Sequence, residues 1–389
     1  MKPFAIQVAV ALLSAAVSFR ARAAYLESGQ EGRGDAVRPR PPPPPPHFVP
    51  PEPGPGAALR ALARRVEVGA PHSYRGLTVY PLLPRERAPR RDLLTLDEAL
   101  SRGQLVIREK DEGRVGEVRV RNDARRPVFL MTGEIILGGR QNRILRDDVL
   151  LPAESGFIDV GVYCGEQDRW QGKHARFDSG GNLSAPGLRQ MAAEAATQDR
   201  IWGEIDGQLS RAKVAAPTRS YQQVYEDGDV RRELDRCVAE FRRFARPETV
   251  GCIVASRGGI LGCDLFADAD LFARLWPKIC RSYAMDVVLP WHSKPEPRPA
   301  PYADRAQRIR PPDAPDVRDF LDRVLTAGFS ARDTPGRERL ARISGDVSGN
   351  VLEDNGQVVH AAVFPGYEAL PMRRGPVESM PLRGGPGEE

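Results

Sequence analysis

What is scarce in this sequence narrows its chemistry first. The 389 residues hold five cysteines and five histidines, with no CxxC pair and no clustered His spacing, which argues against a structural zinc site. No serine sits in a GxSxG elbow, no HExxH occurs, and no dinucleotide-binding glycine fingerprint follows a strand. The GxxxxGK[ST] loop of phosphate-binding NTPases is also missing. Neither a metal nor a cofactor is therefore expected. Outside the extreme N-terminus no apolar run approaches the roughly 20 residues of a spanning helix, so no membrane span is expected once a leader is removed. Opposite charges are interspersed rather than blocked, and 57 basic against 52 acidic residues leave only +5. No nucleic-acid partner is expected from that balance. Lysine is nearly absent: six residues, the remaining basic side chains being arginine.

What is present divides the chain. Lys2, an apolar stretch from Phe4 to Phe19 and the Ala21-Arg22-Ala23 site have the layout of a secretory leader over residues 1–23. Export to the periplasm or beyond is the expectation, with an uncleaved N-terminal anchor as the alternative. Residues 24–65 read as a spacer, because residues 38–56 hold eleven prolines, including Pro41 to Pro46. Such a stretch favours polyproline II and buries no core. A main domain is expected over 66–292, a second Pro-rich linker over 293–315, a helix and hairpin packing back on the main domain over 316–365, and a disordered tail over 366–389.

Alternation predicts strands over Gly76 to Leu83, Val115 to Val120, Val128 to Met131, Glu134 to Leu137, Ile144 to Leu151 and Phe157 to Tyr163. Thr95 and Glu98 are placed as a capping box, with Gly103 as the stop. Leu188 through Leu209 form one helical stripe, and Leu234 through Phe244 a second. Leu271 through Tyr283 form a third, with Asp268 as N-cap and Pro277 as a kink or a new first turn. Three segments share a strand-turn-strand rhythm: Val128 to Gly138, Cys252 to Asp264, and Val351 to Phe364 with Asn355-Gly356 at its tip. The fold class expected is α+β: an antiparallel, β-rich domain of sandwich- or barrel-like hairpins with three or four amphipathic helices. A two-residue turn at Arg257-Gly258 would set Cys252 opposite Cys263, and one at Gly258-Gly259 would slide them apart. Buried small hydrophobes describe the five cysteines better than a disulfide framework.

Two polar constellations stand out. Gly133-Glu134 and Gly138-Gly139-Arg140-Gln141-Asn142-Arg143 set a carboxylate, two arginines and two amides beside glycines that admit a ligand to the backbone. The planar fork of arginine suits phosphate or carboxylate, and amides suit sugar hydroxyls or a base edge. Cys164-Gly165-Glu166-Gln167-Asp168-Arg169-Trp170 repeats the mixture where a strand ends, and Trp170 could stack on a ring. Glu134 and Glu166 would serve as an acid and base if they face one another. Cys164 lacks an identifiable histidine partner. Glu204 lies about 200° around its helix from Trp202 and points away from the apolar stripe. Asp264 directly follows a strand and can cap, pair with an arginine or line a site.

With those residues in view, the region from Pro71 to Val287 resembles a bacterial family of unassigned biochemistry, the ARG-and-rhodanese-phosphatase-superfamily-associated protein domain. The resemblance rests on Leu77-Thr-Val-Tyr-Pro-Leu, Leu94-Thr-Leu-Asp-Glu-Ala-Leu, Gly133-Glu134, Gln141-Asn142-Arg143, Glu166-Gln167 and Arg169-Trp170. It continues through Trp202-x-Glu204-Ile205, Gly262-x-Asp264-Leu265-Phe266, Leu275-Trp276-Pro277-Lys278 and Ser282-Tyr283-Ala284-x-Asp286. By association alone the resemblance implies a link to ADP-ribose or NAD-related chemistry. The expected function is a ligand-binding module for a phosphorylated or sugar-nucleotide compound. Arg140, Gln141, Asn142, Arg143, Gln167, Arg169 and Trp170 would hold the ligand, and Glu204 and Asp264 are further candidates. Two alternatives stay open: a hydrolase using Glu134 and Glu166, and a structural or interaction protein of the cell envelope whose polar clusters are turn networks.

Overall fold

A computed structural model describes residues 54–110, 116–169, 176–244, 246–292, 312–334 and 338–366. The proposed leader, the prolines of both Pro-rich stretches up to Pro53 and from 293 to 311, and the tail beyond 366 lie outside the described residues.

The architecture is α+β and antiparallel almost throughout, as the alternating patterns require. Its largest element is a nine-stranded sheet in the order β1 (Val66–Val68), β3 (Leu77–Pro84), β13 (Gly251–Ser256), β14 (Gly259–Leu265), β18 (Gln357–Pro365), β17 (Val347–Asp354), β16 (Arg339–Ser344) and β15 (Gly328–Arg332), with β2 (His72–Tyr74) also on β3. The C-terminal segment therefore does more than pack on the main domain: β18 pairs with β14 and completes the sheet. β15 and β16 were not expected. β15 is an exposed edge strand of Gly-Phe-Ser-Ala-Arg, and β16 buries Leu340, Ala341 and Ile343 without a strict alternation that would mark it in the sequence.

A second sheet runs β12 (Phe177–Leu183), β8 (Glu134–Gly138), β9 (Arg143–Leu145), β11 (Ile158–Cys164), β6 (Glu117–Asn122) and β5 (Leu105–Glu109). A bridge between Arg108 and Arg176 brings its edge strands together. The sheet thus curls into a half-barrel, called the barrel below, around Ile107, Val118, Val120, Ile136, Leu145, Val160, Val162 and Phe177, all buried in one apolar cluster. Curling brings its two edges towards each other and shortens the edge left open to pairing. A three-stranded sheet, β10 (Val149–Leu151), β7 (Val128–Leu130) and β4 (Leu94–Thr95), packs into the same cluster. Val128 to Gly138 is thus no hairpin, because β7 and β8 enter different sheets. β12 escaped notice because Phe-Asp-Ser-Gly-Gly-Asn-Leu has almost no strand propensity, and pairing with β8 imposes it.

Helices fill both faces of the nine-stranded sheet. On one face α1 (Ala57–Ala63) and α8 (Ala314–Thr326) bury Leu59, Val317, Phe320 and Val324 against Leu82, Ile253, Cys263 and Val363. α1 falls within the segment read as a spacer; the Glu353 carboxylate accepts the Ala58 and Leu59 N–H groups at 3.1 and 3.2 Å and ties its first turn to β17. On the other face α3 (Pro186–Ala193), α4 (Gln198–Ala212), α5 (Gln222–Glu226), α6 (Gly228–Glu240) and α7 (Ala269–His292) form a layer against the outside of the barrel. The stripe from Leu188 to Leu209 is two helices, broken where Ala195 takes φ 53°. α7 runs from Ala269 through Pro277 without restarting; Trp276, Ile279 and Cys280 are all buried around it, and that packing offsets the lost backbone bond. The Thr95–Glu98 capping box of α2 (Leu96–Ser101) forms as the spacing predicts.

The β13–β14 hairpin turns at Arg257-Gly258, since Ser256 pairs with Gly259. Cys252 still does not meet Cys263. A bulge after Val254 shifts the register, so Cys252 faces Asp264 and Cys263 faces Ile253. The two thiols then lie on opposite faces of the sheet, Cys252 in the helical layer and Cys263 in the other core. All five cysteines are free and buried.

Candidate functional site

At the end of the barrel where β8 turns into β9, the two polar constellations interlock. The Asn142 N–H donates to the Glu166 carboxylate at 3.1 Å, and Arg169 Nε donates to the same oxygen at 2.9 Å. The Arg169 guanidinium continues to the Gly139 carbonyl at 3.1 Å and to Asn142 Oδ1 at 3.2 Å. Gln141 Nε2 donates to the Gln167 carbonyl at 3.2 Å, and Asn142 Nδ2 to Ser220 Oγ at 3.0 Å. Gly138 and Gly139 have φ 129° and 51°. A Cβ on Gly138 would meet the Arg176 carbonyl oxygen at 2.4 Å, so the turn can be built only from residues without a side chain. Five of the anticipated residues, Gln141, Asn142, Glu166, Gln167 and Arg169, thus share one place.

Behind them Arg143 is wholly buried. Its guanidinium reaches Glu109 at 3.4 Å, Gln141 Oε1 at 3.4 Å and the Cys164 sulfur. Glu109 also accepts the Arg140 N–H at 2.9 Å. Glu109 ends β5 and was missed, since nothing in the sequence links a strand-end glutamate to a loop 31 residues later. Burial raises the Cys164 thiol pKa, with Arg143 pulling the other way, so the thiol stays protonated at neutral pH and is a poor nucleophile. The Arg140 backbone and half-exposed side chain lie at this rim, whereas Trp170 lies outside the described residues.

Glu134 is elsewhere. It opens β8, whereas Glu166 holds Asn142 beyond the far end of that strand, a separation of roughly 13 Å of extended chain. Glu134 is buried against Lys278 Nζ at 2.7 Å and accepts the Met131 N–H at 2.9 Å; Lys278 also reaches Asp97 at 2.8 Å. Burial raises the Glu134 carboxyl above its ordinary range while Lys278 opposes it. The two glutamates therefore hold different cations at opposite ends of β8 and do not face one another as an acid and base. Lys278 had a visible signal, being one of only six lysines and set within an apolar helical pattern. Glu204 lies half-buried on α4 and accepts from buried Gln208 at 2.9 Å and exposed Arg211 at 3.0 Å, both on its own helix and not among the barrel rim residues.

Asp264 belongs to a second, deeper network joining the barrel to the nine-stranded sheet. Asp148 accepts the Thr132 N–H at 2.7 Å and His360 Nδ1 at 2.6 Å; His360 Nε2 lies 2.9 Å from Asp264, which also takes both ends of the Arg189 guanidinium. These four ionisable side chains are 0 or 1 % exposed. Burial disfavours an imidazolium, but Asp148 and Asp264 outweigh it and raise the His360 pKa to about 9. Burial likewise would raise Asp264, yet Arg189 and His360 hold it well below the usual carboxylate range. Two anions and two cations therefore neutralise one another in the interior, the condition under which buried charge is tolerated. Asp148, Arg189 and His360 are scattered over 213 positions in the sequence and carried no signal.

Comparison with curated proteins and with solved structures yields no match. A protein-family profile does match, over residues 65–364. Several of the segments that carried the resemblance gather at two places: Gln141 to Arg143 with Glu166, Gln167 and Arg169 at the barrel rim, and Gly133, Glu134, Asp264 and Lys278 around the buried ion pairs. The chain belongs to the ARG and Rhodanese-Phosphatase-superfamily-associated Protein domain family.

Proposed function

We propose that the barrel rim binds a phosphorylated or sugar-nucleotide compound of the ADP-ribose kind, and that the protein is a binding module. The observation that carries this reading is the joining of two polar loops around an acceptor left open: Gln167 Oε1 is buried without a hydrogen-bond partner among the described residues. A buried acceptor without a donor is costly, and a ligand hydroxyl would supply one. Half-exposed Arg140 and Arg169 lie at the same rim as cations for phosphate, Arg169 by exchanging its present pairing with Glu166, which then becomes a hydroxyl acceptor. The separation of Glu134 from Glu166 favours binding over hydrolysis by that pair.

The test is thermal unfolding of the full chain with ADP-ribose, ADP or ribose 5-phosphate. At a hundred times its dissociation constant a ligand should add about 2.7 kcal/mol of stability. Gln167→Leu, which removes the open acceptor, should abolish that gain while leaving the unliganded midpoint unchanged or higher. Unshifted melting with all three compounds, or a gain that survives Gln167→Leu, refutes the assignment.

A further inference from the structure

The outer face of the barrel carries a charge pattern that strand pairing alone creates. Arg108 on β5 stands directly opposite Arg119 on β6 and is bridged on its other side to Arg176, the residue before β12, so three arginines lie side by side across three chain segments. Their chain neighbours Ile107, Val118, Val120 and Phe177 fill the barrel interior, so the alternation of a strand turns all three arginines outward, and all three are exposed. Like charges directly opposite one another destabilise a sheet. One carboxylate, Asp159, stands opposite Arg119 on β11, and it is shared. Among the described residues neither Arg108 nor Arg176 has a carboxylate within 4.0 Å, and Arg119 reaches Asp159 only at 3.9 Å. Lys110 already holds that aspartate at 2.7 Å.

The row is also braced. Phe157 is half-buried on the same face, and the guanidinium carbons of Arg108, Arg119 and Arg121 lie 5.4, 5.3 and 5.0 Å from its ring centroid. Cation–π contact with one ring holds Arg108 and Arg119, two members of the row, together with Arg121, where free rotation in water would spread them. Neighbouring strands are about 4.8 Å apart, so the row spans on the order of 10 Å, enough to meet consecutive anionic groups of one extended chain.

We infer that the Arg176–Arg108–Arg119 row, with Phe157 beside it, is a binding surface for a linear phosphate polyanion; Arg121, whose guanidinium is held by Asp123 at 2.8 and 3.0 Å, flanks the row without adding free charge to it. The net charge of the chain hides it, because the three arginines come from separate segments and form no basic run. Two sources share that chemistry, the backbone of a single-stranded nucleic acid and inorganic polyphosphate.

Fluorescence anisotropy with a labelled oligothymidylate, and competition by inorganic polyphosphate of matched phosphate number, test the surface on the full chain. With three phosphates neutralised, affinity should fall about 20-fold between 50 and 200 mM salt. In the Arg108→Glu/Arg176→Glu variant it should be far weaker and fall only about threefold. Both positions are exposed, so the melting midpoint should hold. Arg242→Glu/Arg243→Glu, an equal charge change away from the row, should leave binding within about twofold. Tighter oligonucleotide than polyphosphate binding would identify the nucleic acid as the source, and the reverse would identify polyphosphate. No binding of either polymer at 50 mM salt, or equal losses from the two double variants, overturns the proposal.

Discussion

Replacing His360 with methionine is the sharpest test of the buried charge network. Methionine fills a similar volume but cannot carry the proton that sits between Asp148 and Asp264. Removing one partner of a buried ion pair typically costs about 3 to 5 kcal/mol, because the remaining charges are left without compensation. The pH dependence identifies the cause. The imidazole pKa rises from 6.5 in the unfolded chain to about 9 in the folded one. A raised basic pKa stabilises fully below the unfolded value and is lost as pH climbs through the folded value. Between those limits the folded chain keeps a proton that the unfolded chain has released, a contribution of about 3 kcal/mol at roughly 1.4 kcal/mol per pH unit. Urea unfolding of the wild-type chain and of His360→Met at about pH 6 and about pH 10 should show a stability gap of several kcal/mol that shrinks by about 3 kcal/mol at the higher pH. The five thiols and the tyrosines titrate in both proteins, so their effects cancel in the difference. An equal gap at both pH values would mean that His360 is neutral in the folded state, and the assignment of a buried imidazolium would fail.

Two further outcomes follow from packing and charge. Lys278→Met strands the Glu134 carboxylate in the interior and should lower stability by about 3 kcal/mol or more, whereas Lys278→Met combined with Glu134→Gln should recover much of that loss; a double-mutant cycle in urea that shows no coupling would contradict the pairing. Gly133→Ala places a methyl 2.6 Å from Ser184 Oγ and 2.7 Å from Arg189 Cγ at a φ of +90°. Strain and overpacking together should cost on the order of 2 to 4 kcal/mol, read as a lower thermal midpoint, and an unchanged midpoint would show that the turn relaxes freely.

The sequence by itself determined the fold class, the Thr95–Glu98 capping box, the Asn355-Gly356 hairpin and the polar character of the segments after β8 and β11. Each of these is written in spacing over a few residues: alternation for strands, a three-residue capping interval, a two-residue turn. The elements that stayed hidden depend on partners distant in the chain. β12 is a strand because β8 lies beside it, and its own residues would favour a loop. Cys252 and Cys263 are parted by a single bulge that no turn rule predicts. Gln141 and Asn142 meet Glu166 and Gln167 because β9 pairs with β11, a pairing that neither segment carries in its own residues. Glu134, by contrast, was grouped with its sequence neighbours at Gly138 to Arg143, and the length of β8 carries it away to Lys278. The charge chain through Asp148, His360, Asp264 and Arg189, and the arginine row on the barrel, were decided by tertiary structure alone. Electrostatic energy depends on distance in space, and only the completed sheets bring those groups within reach of one another.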